Sequence, residues 1–365
     1  MRKIRVLDLC AGIGGFRAGS EMLEIPNVLF DVVGFAEIDK YPKMCYRSMY
    51  DTNNELDLGD IKLLTRTDGE EFKGGFLQKS ESRSKRIEQN VPDHDLLFAG
   101  FPCQPFSQMG SELGVDDMLG RGELIFDLVE IIREKQPVFF VLENVKKFYT
   151  HNEGRLCELI KNELIGIGQG YDVQTWVLNA KDFSVPQVRN RLFIVGCKKS
   201  MSEKKLEMPQ MIEMAQYERG VHQFLERNVD PKYYLSERIK KTILSEGTGG
   251  WKAKAEINKF VARPLTKTMH KMHRASQDNY YSDSFINGKW DKKKYLVIET
   301  KNGKNRIRRI TPYEALKIQG FPESLINKAL KSGLSDSRIY MAAGNAVPPP
   351  LVAAVLKTLP LHKIN

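Results

Sequence analysis

The chain has 365 residues, with 56 Lys and Arg against 46 Asp and Glu, which gives a formal net charge of +10. Hydrophobic residues make up 41% of the sequence and charged residues 28%, a composition typical of globular proteins. No apolar run approaches the roughly 20 residues that a membrane helix needs, and no secretory cleavage pattern follows the first residues. These features argue against a membrane or exported protein, and we expect a cytoplasmic location.

The first half of the chain alternates short apolar segments with segments of helical period. Strands are predicted at residues 5–9, 31–36, 95–99, 137–142, 173–178 and 192–196, and helices at residues 16–23 and 123–134. This alternation predicts a mostly parallel, doubly wound α/β sheet with helices on both faces. The charged, Gly- and Ser-containing stretch between residues 65 and 90 is expected to be a surface insertion.

The second half begins with an irregular, partly β segment that carries several aromatic residues. Regular structure returns at Pro312, because proline is favoured at the first position of a helix, and a last helix is predicted at residues 350–358. We therefore predict a catalytic and cofactor-binding domain formed by residues 1–197 and 336–365. Residues 198–335 are predicted to form a smaller second domain.

The basic excess of the chain is confined to residues 198–305. This segment contains 23 Lys and Arg against 13 Asp and Glu, whereas the rest of the chain is balanced. A localised positive excess indicates a polyanionic partner such as nucleic acid. The alternative interpretation is a solvated, lysine-rich surface.

A glycine-rich loop follows the first predicted strand and precedes a helix. Its residues are Cys10, Ala11, Gly12, Ile13, Gly14 and Gly15. Glycines in such a loop let the backbone approach a ligand closely. Glu37 ends the next strand, where a carboxylate can accept hydrogen bonds from ribose hydroxyls, and Asp60 follows a third unit. Because Arg17 replaces the last glycine of the dinucleotide fingerprint, a smaller adenosine ligand is favoured over a dinucleotide.

A second loop places Cys103 between two prolines just past a predicted strand end. A cysteine at this edge of the sheet suits a nucleophile, although an incidental loop cysteine is the alternative. Glu143 ends a later strand and meets the same edge, while Arg189 and Arg191 point to one side of an extended segment. A helix cap and surface salt bridges are the alternative roles for these three residues. The five cysteines contain no Cys-x-x-Cys spacing, so no metal site is predicted.

Taken in order, these segments resemble the DNA cytosine-5 methyltransferase family of bacterial restriction–modification systems. The resemblance covers nearly the whole chain except residues 198–305. The matching segments are DLCAGIGGF at 8–16, EID at 37–39, GDI at 59–61, GFPCQPFS at 100–107, ENV at 143–145, QVRNR at 187–191, RITPYE at 309–314, QGFP at 319–322 and GNAV at 344–347.

The resemblance implies a Rossmann-like, S-adenosylmethionine-dependent methyltransferase that acts on C5 of a cytosine flipped out of duplex DNA. It implies that Cys103 bonds covalently to C6 of the base and that Glu143 holds and protonates N3. Arg191 would contact the carbonyl oxygen of the base, and Arg189 would steady a phosphate or the catalytic loop.

The resemblance also implies the residues of a cofactor pocket. Besides the 10–15 loop, they are Glu37, Ile38, Asp60, Ile61, Pro102, Leu124, Asn345 and Val347. The sequence departs from the family at two positions, since Cys10 stands where Phe is usual and Ala342 stands where Gln is usual. Both departures are expected to weaken cofactor or DNA contacts without removing a catalytic group.

The variable segment 198–305 falls where the family keeps its target-recognition region. Predicted DNA contacts are Gln104 and Ser107 from the Pro-Cys loop and Arg263, Lys271 and Arg274 from the basic segment. At least one of these last three residues is expected to contact a base. The expected partner is double-stranded DNA, with a cognate restriction endonuclease possible, and a monomer is expected.

Three other functions remain open at this stage. A tRNA cytosine-5 methyltransferase would share the architecture, but the basic segment and the Pro-Cys-Gln loop favour DNA. A non-catalytic DNA-binding regulator is disfavoured because Cys103, Glu143 and Arg191 are all present. A thiol redox enzyme would need a resolving cysteine beside Cys103, and none is there.

Overall fold

The computed structural model describes residues 2–66, 80–102, 123–211, 220–245, 256–274, 276–291, 296–298 and 305–364. The predictions made for Cys103, Gln104 and Ser107 lie outside the described residues. The described strands are β1 (Arg2–Leu9), β2 (Val28–Ala36), β3 (Leu56–Asp57), β4 (Leu96–Gly100), β5 (Phe139–Val145), β6 (Tyr171–Asn179), β7 (Asn190–Lys198), β8 (Tyr280–Ser282), β9 (Lys289–Asp291), β10 (Leu296–Ile298) and β11 (Ile307–Arg309).

The helices fall between and after these strands. The described α-helices are α1 (Gly15–Glu21), α2 (Lys40–Met49), α3 (Lys62–Thr65), α4 (Glu81–Asn90), α5 (Glu123–Lys135), α6 (Lys146–Thr150), α7 (Arg155–Ile165), α8 (Glu237–Leu244), α9 (Asp283–Ile286), α10 (Pro312–Ile318), α11 (Glu323–Leu330), α12 (Asp336–Asn345) and α13 (Pro349–Leu356).

Strands β1 to β7 form one sheet in the order β3-β2-β1-β4-β5-β7-β6. All neighbouring strands run parallel except that β7 is antiparallel to both β5 and β6. The chain returns from β6 to β7 after about ten residues, which is too short for the helical crossover that a parallel pair requires. The predicted mostly parallel α/β sheet is confirmed, with one reversed strand near its edge.

Helices cover both faces of this sheet, as predicted. Leu97 and Phe140 point to one face and pack against α4, α5 and α7. Leu96 and Phe139, their immediate chain neighbours, point to the other face and pack against α1 and α13. Because successive strand side chains alternate between faces, a continuous apolar run such as 96–99 is explained by burial on both sides.

The prediction of a surface insertion between residues 65 and 90 is wrong for its last part. Residues 81–90 form helix α4, whose Ile87 is fully buried in the core of the first face. The buried Arg83 also donates from its Nε to the carbonyl of Thr65 at 2.6 Å. A single buried apolar residue in a charged helix gives too weak a periodicity to be detected from the sequence.

The described part of residues 198–335, called the small region below, packs directly on helix α2. Leu316 of α10 and Ile326 of α11 share one apolar cluster with Tyr46 and Met49 of α2. Helix α10 begins as predicted at Pro312, and a capping box formed by its neighbours fixes its start. The short strands β8 and β11 pair antiparallel in front of it.

The described residues contain one stretch, Asp336–Leu356, that is long and apolar enough to cross a membrane, and 78% of its most apolar window is buried inside the fold. It comprises helices α12 and α13, which are separated by a break at residues 346–348. Its apolar character is therefore accounted for by core packing.

Gly344 of α12 is where the backbone of residues 266–267 crosses this helix. A Cβ atom at this position would lie 2.3 Å from the backbone carbon of Thr266 and 2.4 Å from the backbone nitrogen of Lys267. Only a residue without a side chain lets the 266–267 backbone lie this close to the helix.

We predict that Gly344→Ala destabilises the protein by about 1–3 kcal/mol, because the new methyl group collides with backbone that cannot move aside cheaply. Alanine within a helix would otherwise be favoured over glycine by about 1 kcal/mol. The collision must outweigh this gain for the free energy of unfolding to fall. Urea unfolding measures the change. Gly166→Ala is the matched control, since its Cβ would meet nothing nearer than 3.6 Å. Equal stability of Gly344→Ala and the wild type would mean that the 266–267 segment does not press on α12.

Candidate active site and cofactor pocket

The loop between β1 and α1 exposes its backbone at Gly12. Cys10 and Gly12 have positive φ angles of 52° and 56°, so the chain turns sharply after the strand. A Cβ at Gly12 would meet no described atom within 4 Å, so the space above this residue is open. The opening lies at the carboxyl ends of the strands, where ligands bind in open α/β sheets.

The other glycines of the loop hold it against its surroundings. A Cβ at Gly14, whose φ is 78°, would lie 2.4 Å from the ring of Tyr50. A Cβ at Gly15 would lie 2.3 Å from the carbonyl oxygen of Val347. The hydroxyl of Tyr50 also donates to the Gly14 carbonyl at 2.8 Å. The closed side of the loop is therefore fixed by helix α2 and by the segment after α12.

Glu37 lies directly beside the open part of the loop. Its Oε2 accepts a hydrogen bond from the Gly12 amide at 2.9 Å, and its Oε1 accepts one from the Asp39 amide at 2.8 Å. Burial raises the pKa of this carboxyl group, and the backbone donors oppose part of the shift. The neighbouring Ile38 is 73% exposed, an unusual state for isoleucine. A polar acceptor and an apolar surface thus stand side by side at the opening.

The remaining cofactor predictions occupy different environments. Asp60 is partly buried, and its Oδ1 accepts from the amide of Lys62 at 3.0 Å, which fixes the start of α3. Ile61 is only 3% exposed and belongs to the core of the first face, so its side chain offers little surface to a ligand. Leu124 is partly buried against that same cluster.

Three more predicted cofactor residues lie at segment ends. Pro102 is exposed two residues beyond the end of β4, and Asn345 is exposed at the end of α12. Val347 is buried, and its backbone carbonyl faces Gly15. The 344–347 segment therefore adjoins the closed side of the glycine loop.

Asp8 lies beneath this loop as a buried carboxyl group, a position that was not predicted from the sequence. The side chain is fully buried, and its oxygens receive no hydrogen bond of normal geometry from the described residues. Burial raises its pKa to about 8, a shift that Arg17 and the Tyr46 hydroxyl partly oppose. The available signal was a carboxylate between Leu7 and Leu9, in the fully buried second half of β1.

Glu143 and Arg191 form an ion pair at the carboxyl end of β5. Their strands are antiparallel neighbours, with Val145 opposite Arg191, and Nε of Arg191 lies 2.7 Å from Oε1 of Glu143. A Cβ at Gly100, the last residue of β4, would lie 3.6 Å from Oε2 of Glu143 and 4.0 Å from the Cys10 carbonyl. The predicted carboxylate and arginine are thus together, beside both the glycine loop and the start of the Pro-Cys loop.

The ion pair is largely withdrawn from water. Burial raises the pKa of Glu143, although Arg191 and Arg189 lower it in part. Burial likewise lowers the pKa of Arg191, against the attraction of Glu143. A carboxyl group in this setting takes up a proton more readily than an exposed one, which is the property required of a general acid.

Asn144 connects this pair to the Pro-Cys loop, a contact that sequence analysis did not assign. Its side-chain nitrogen donates to the carbonyl of Phe101 at 3.2 Å, and its side-chain oxygen accepts from the amide of Val145 at 2.7 Å. The loop is therefore anchored two residues before Cys103, next to the carboxylate.

Arg189 is predicted to steady a phosphate or the catalytic loop, and its position in this structure does not favour the phosphate contact. The side chain is 1% exposed. Its guanidinium donates to three backbone carbonyls, those of Leu265 at 3.0 Å, Gly344 at 2.8 Å and Ala346 at 2.9 Å. A group so enclosed cannot reach a phosphate without leaving the interior.

Two of the three candidates for a base contact are paired within the protein. Arg263 donates to the carbonyl of Glu256 at 2.8 Å and is 10% exposed. Arg274 lies 2.9 Å from the carboxylate of Asp278 and closes a turn within the small region. A contact from either side chain to a base would have to replace these internal partners. Lys271 is exposed, and no ion pair is found for it among the described residues.

The fold is that of a Rossmann-like, S-adenosylmethionine-dependent methyltransferase domain. The chain matches the family of C-5 cytosine-specific DNA methylases over residues 4–360 and belongs to that family. It is therefore a DNA cytosine-5 methyltransferase, and the covalent mechanism expected from the sequence is characteristic of the family.

Curated relatives match along most of the chain. The Type II methyltransferase M1.ScrFI of Lactococcus lactis subsp. cremoris is 35% identical, over 98% of this chain and 78% of the relative. The Type II methyltransferase M.NlaX of Neisseria lactamica is 34% identical, over 97% of this chain and 96% of the relative. The solved methyltransferase EhMeth of Entamoeba histolytica has the same fold, with a TM-score of 0.66 and 19% identity over 98% of both chains.

We predict that Asp8→Asn makes the protein more stable at pH 7 but not at pH 4. The folded wild type holds the Asp8 proton up to about pH 8, so its stability falls as pH rises from the unfolded pKa toward that value. The loss reaches up to about 4 kcal/mol at pH 7. Urea unfolding of both proteins between pH 4 and pH 8 isolates this contribution as their difference.

Asp31→Asn is the control, since it removes a carboxylate that is 42% exposed in a surface ion pair with Lys3. A stability difference between Asp8→Asn and the wild type that stays constant over the whole pH range would contradict the assignment of a buried, protonated Asp8.

Proposed function

We propose that this enzyme methylates one cytosine within a short duplex DNA sequence, as the modification enzyme of a Type II restriction–modification system. The observation that carries the proposal is the Glu143–Arg191 pair beside Gly100, between the glycine loop and the start of the Pro-Cys loop. The names of the curated relatives support the Type II assignment.

The glycine loop is proposed to cradle the methionine part of S-adenosylmethionine, with the adenosine part beside it. The open space over Gly12, the Glu37 carboxylate beside it and the exposed Ile38 supply backbone, polar and apolar contacts in one place. We assign the ribose hydroxyls to Glu37, the adenine ring to Ile38 and the adenine amino group to Asp60. Pro102, Leu124, Asn345 and Val347 complete the proposed pocket. When bound, S-adenosylmethionine supplies an electrophilic methyl group.

We assign the nucleophile to Cys103. Cys10, Cys45, Cys157 and Cys197 are free thiols whose pKa values are all raised by burial, so they remain protonated and unreactive. The anchor from Asn144 to Phe101 brings the segment leading to Cys103 next to Glu143.

In the proposed reaction the Cys103 thiolate adds to C6 of the flipped cytosine and breaks the aromaticity of the ring. Glu143 gives its proton to N3, which neutralises the negative charge that the addition pushes into the ring, while Arg191 donates to the carbonyl oxygen O2. After methylation, a water molecule takes the C5 proton and the Cys103 sulfur leaves as a thiolate, which restores the aromatic ring.

We further propose that residues 198–335 form the target-recognition domain and that residues 1–197 and 336–365 form the catalytic domain. The enzyme is proposed to act as a monomer in the cytoplasm, because one flipped base needs one active site. A cognate restriction endonuclease is its proposed genetic partner.

We predict that Cys103→Ser abolishes methyl transfer to duplex DNA and the covalent adduct with 5-fluorocytosine DNA, because the hydroxyl is a much weaker nucleophile than the thiolate. Labelled cofactor and denaturing gels measure the two effects. Cys157→Ala is the matched control, since it removes a buried thiol from helix α7 and leaves the site intact. Bisulfite sequencing of DNA from expressing cells identifies the methylated sequence.

Two outcomes of this experiment would overturn the proposal. Full activity of Cys103→Ser would exclude the assigned nucleophile. Methylation of tRNA in preference to every duplex DNA would show that the substrate is tRNA rather than DNA.

We predict that Glu143→Gln lowers kcat by at least about 100-fold and leaves cofactor affinity unchanged, because the amide keeps the shape but cannot deliver the proton. Steady-state kinetics and cofactor titration separate the two effects. Glu163→Gln on α7, which removes an ion pair with Arg133, is the matched control. A loss of cofactor affinity with unchanged kcat would move Glu143 from catalysis to cofactor binding.

A further inference from the structure

Arg309 contacts the segment that carries His270, and the charges of Lys271 and Arg338 act on the same histidine. Arg309, the last residue of β11, donates to the His270 carbonyl at 3.5 Å and to the His273 ring nitrogen Nε2 at 2.8 Å. The charges of Lys271, Arg309 and Arg338 all help to lower the pKa of His270, after burial. We call the surface formed by Lys271, Arg309 and Arg338 the cationic face.

The cationic face is not neutralised by acidic partners. Within the described part of the chain, no carboxylate pairs with Lys271, Arg309 or Arg338. Two nearby arginines are paired instead, since Arg306 lies 2.9 Å from Asp283 and Arg274 lies 2.9 Å from Asp278. The three side chains of the cationic face therefore keep positive charges that no described carboxylate offsets.

The neighbouring His273 accepts a hydrogen bond from the cationic face but supplies no negative charge to offset it. Burial and the charge of Arg309 lower the pKa of His273, so its ring is neutral near pH 7 and can accept the Arg309 hydrogen bond. This bond and the His270 carbonyl fix the direction of the Arg309 guanidinium without cancelling its charge.

The cationic face adjoins the active-site side of the molecule. The guanidinium of Arg338 lies 3.6 Å from the centre of the Tyr41 ring, at the start of α2 and four residues after Glu37. The segment that leads into Lys271 crosses Gly344, next to the exposed Asn345. A duplex that presents a base to Glu143 would thus have its backbone close to this face.

We propose that Lys271, Arg309 and Arg338 bind backbone phosphates of the target DNA. Oriented guanidinium groups match phosphate oxygens well, and phosphate contacts fix the register of a protein on DNA without reading sequence. The proposal rests on the proposed DNA methyltransferase function. It moves the contact surface partly outside residues 198–305, because Arg309 and Arg338 lie beyond that segment.

The test measures the affinity for a duplex as a function of salt concentration. Each lost phosphate contact reduces the slope of log K against log salt by about 0.9. We expect this reduction for Lys271→Gln, Arg309→Gln and Arg338→Gln, with equal weakening for the target duplex and a non-target duplex. Arg306→Gln is the matched control, since this exposed arginine already has an acidic partner, and its slope should equal that of the wild type.

Lys271 makes the test independent of folding, because this side chain is exposed and its replacement disturbs no contact found in the described structure. Unchanged slopes in all three variants would overturn the inference, provided that the wild type binds and methylates DNA. Weakening confined to the target duplex would also overturn it, since that result marks a base contact. A wild type that methylates no duplex would instead refute the proposed function.

Discussion

The guanidinium of Arg189 is the contact on which the arrangement of the active site depends. It lies in the interior between β7, the 265–267 segment of the small region and the end of α12, and it donates to a carbonyl of each of the last two. Gln187 adds to the same junction, with its Oε1 accepting from the Leu265 amide at 2.8 Å and its Nε2 donating to Gln319 at 2.6 Å. Each buried carbonyl that lost its donor would cost about 1–3 kcal/mol.

The same junction couples the two sides of the site. The Ala346 carbonyl that Arg189 binds is adjacent to Val347, whose own carbonyl presses on Gly15 of the glycine loop. Arg191, which lies in β7 two residues after Arg189, forms the ion pair with Glu143. A displacement of the 265–267 segment would therefore also shift the glycine loop and the ion pair, because packed backbone rather than a flexible linker connects them. This explains why a buried arginine is useful here although its desolvation is costly.

The main strands of the sheet and the position of Glu143 at its ligand-binding edge were predictable from sequence, whereas the direction of β7 and the partners of the arginines were not. Residues 96–99 form a continuous apolar run because both faces of β4 are covered, and Glu143 ends such a run at the ligand-binding edge. Strand direction depends on connection length and on pairing, which the apolar pattern does not encode. Arg189 binds carbonyls up to 157 positions away, and backbone carbonyls carry no sequence signal.

The charge counted along the sequence also differs from the charge presented at the surface, because the sequence does not show which side chains are paired in the fold. The excess of +10 in residues 198–305 counts every side chain as free, yet Arg263 and Arg274 lie beside Glu256 and Asp278. Pairing cancels most of the field of each such cation at distances beyond the pair, whereas Arg309, held by a carbonyl and a neutral ring, keeps its full charge. The sequence therefore indicates a polyanionic partner correctly, but only the folded arrangement determines which cations face it.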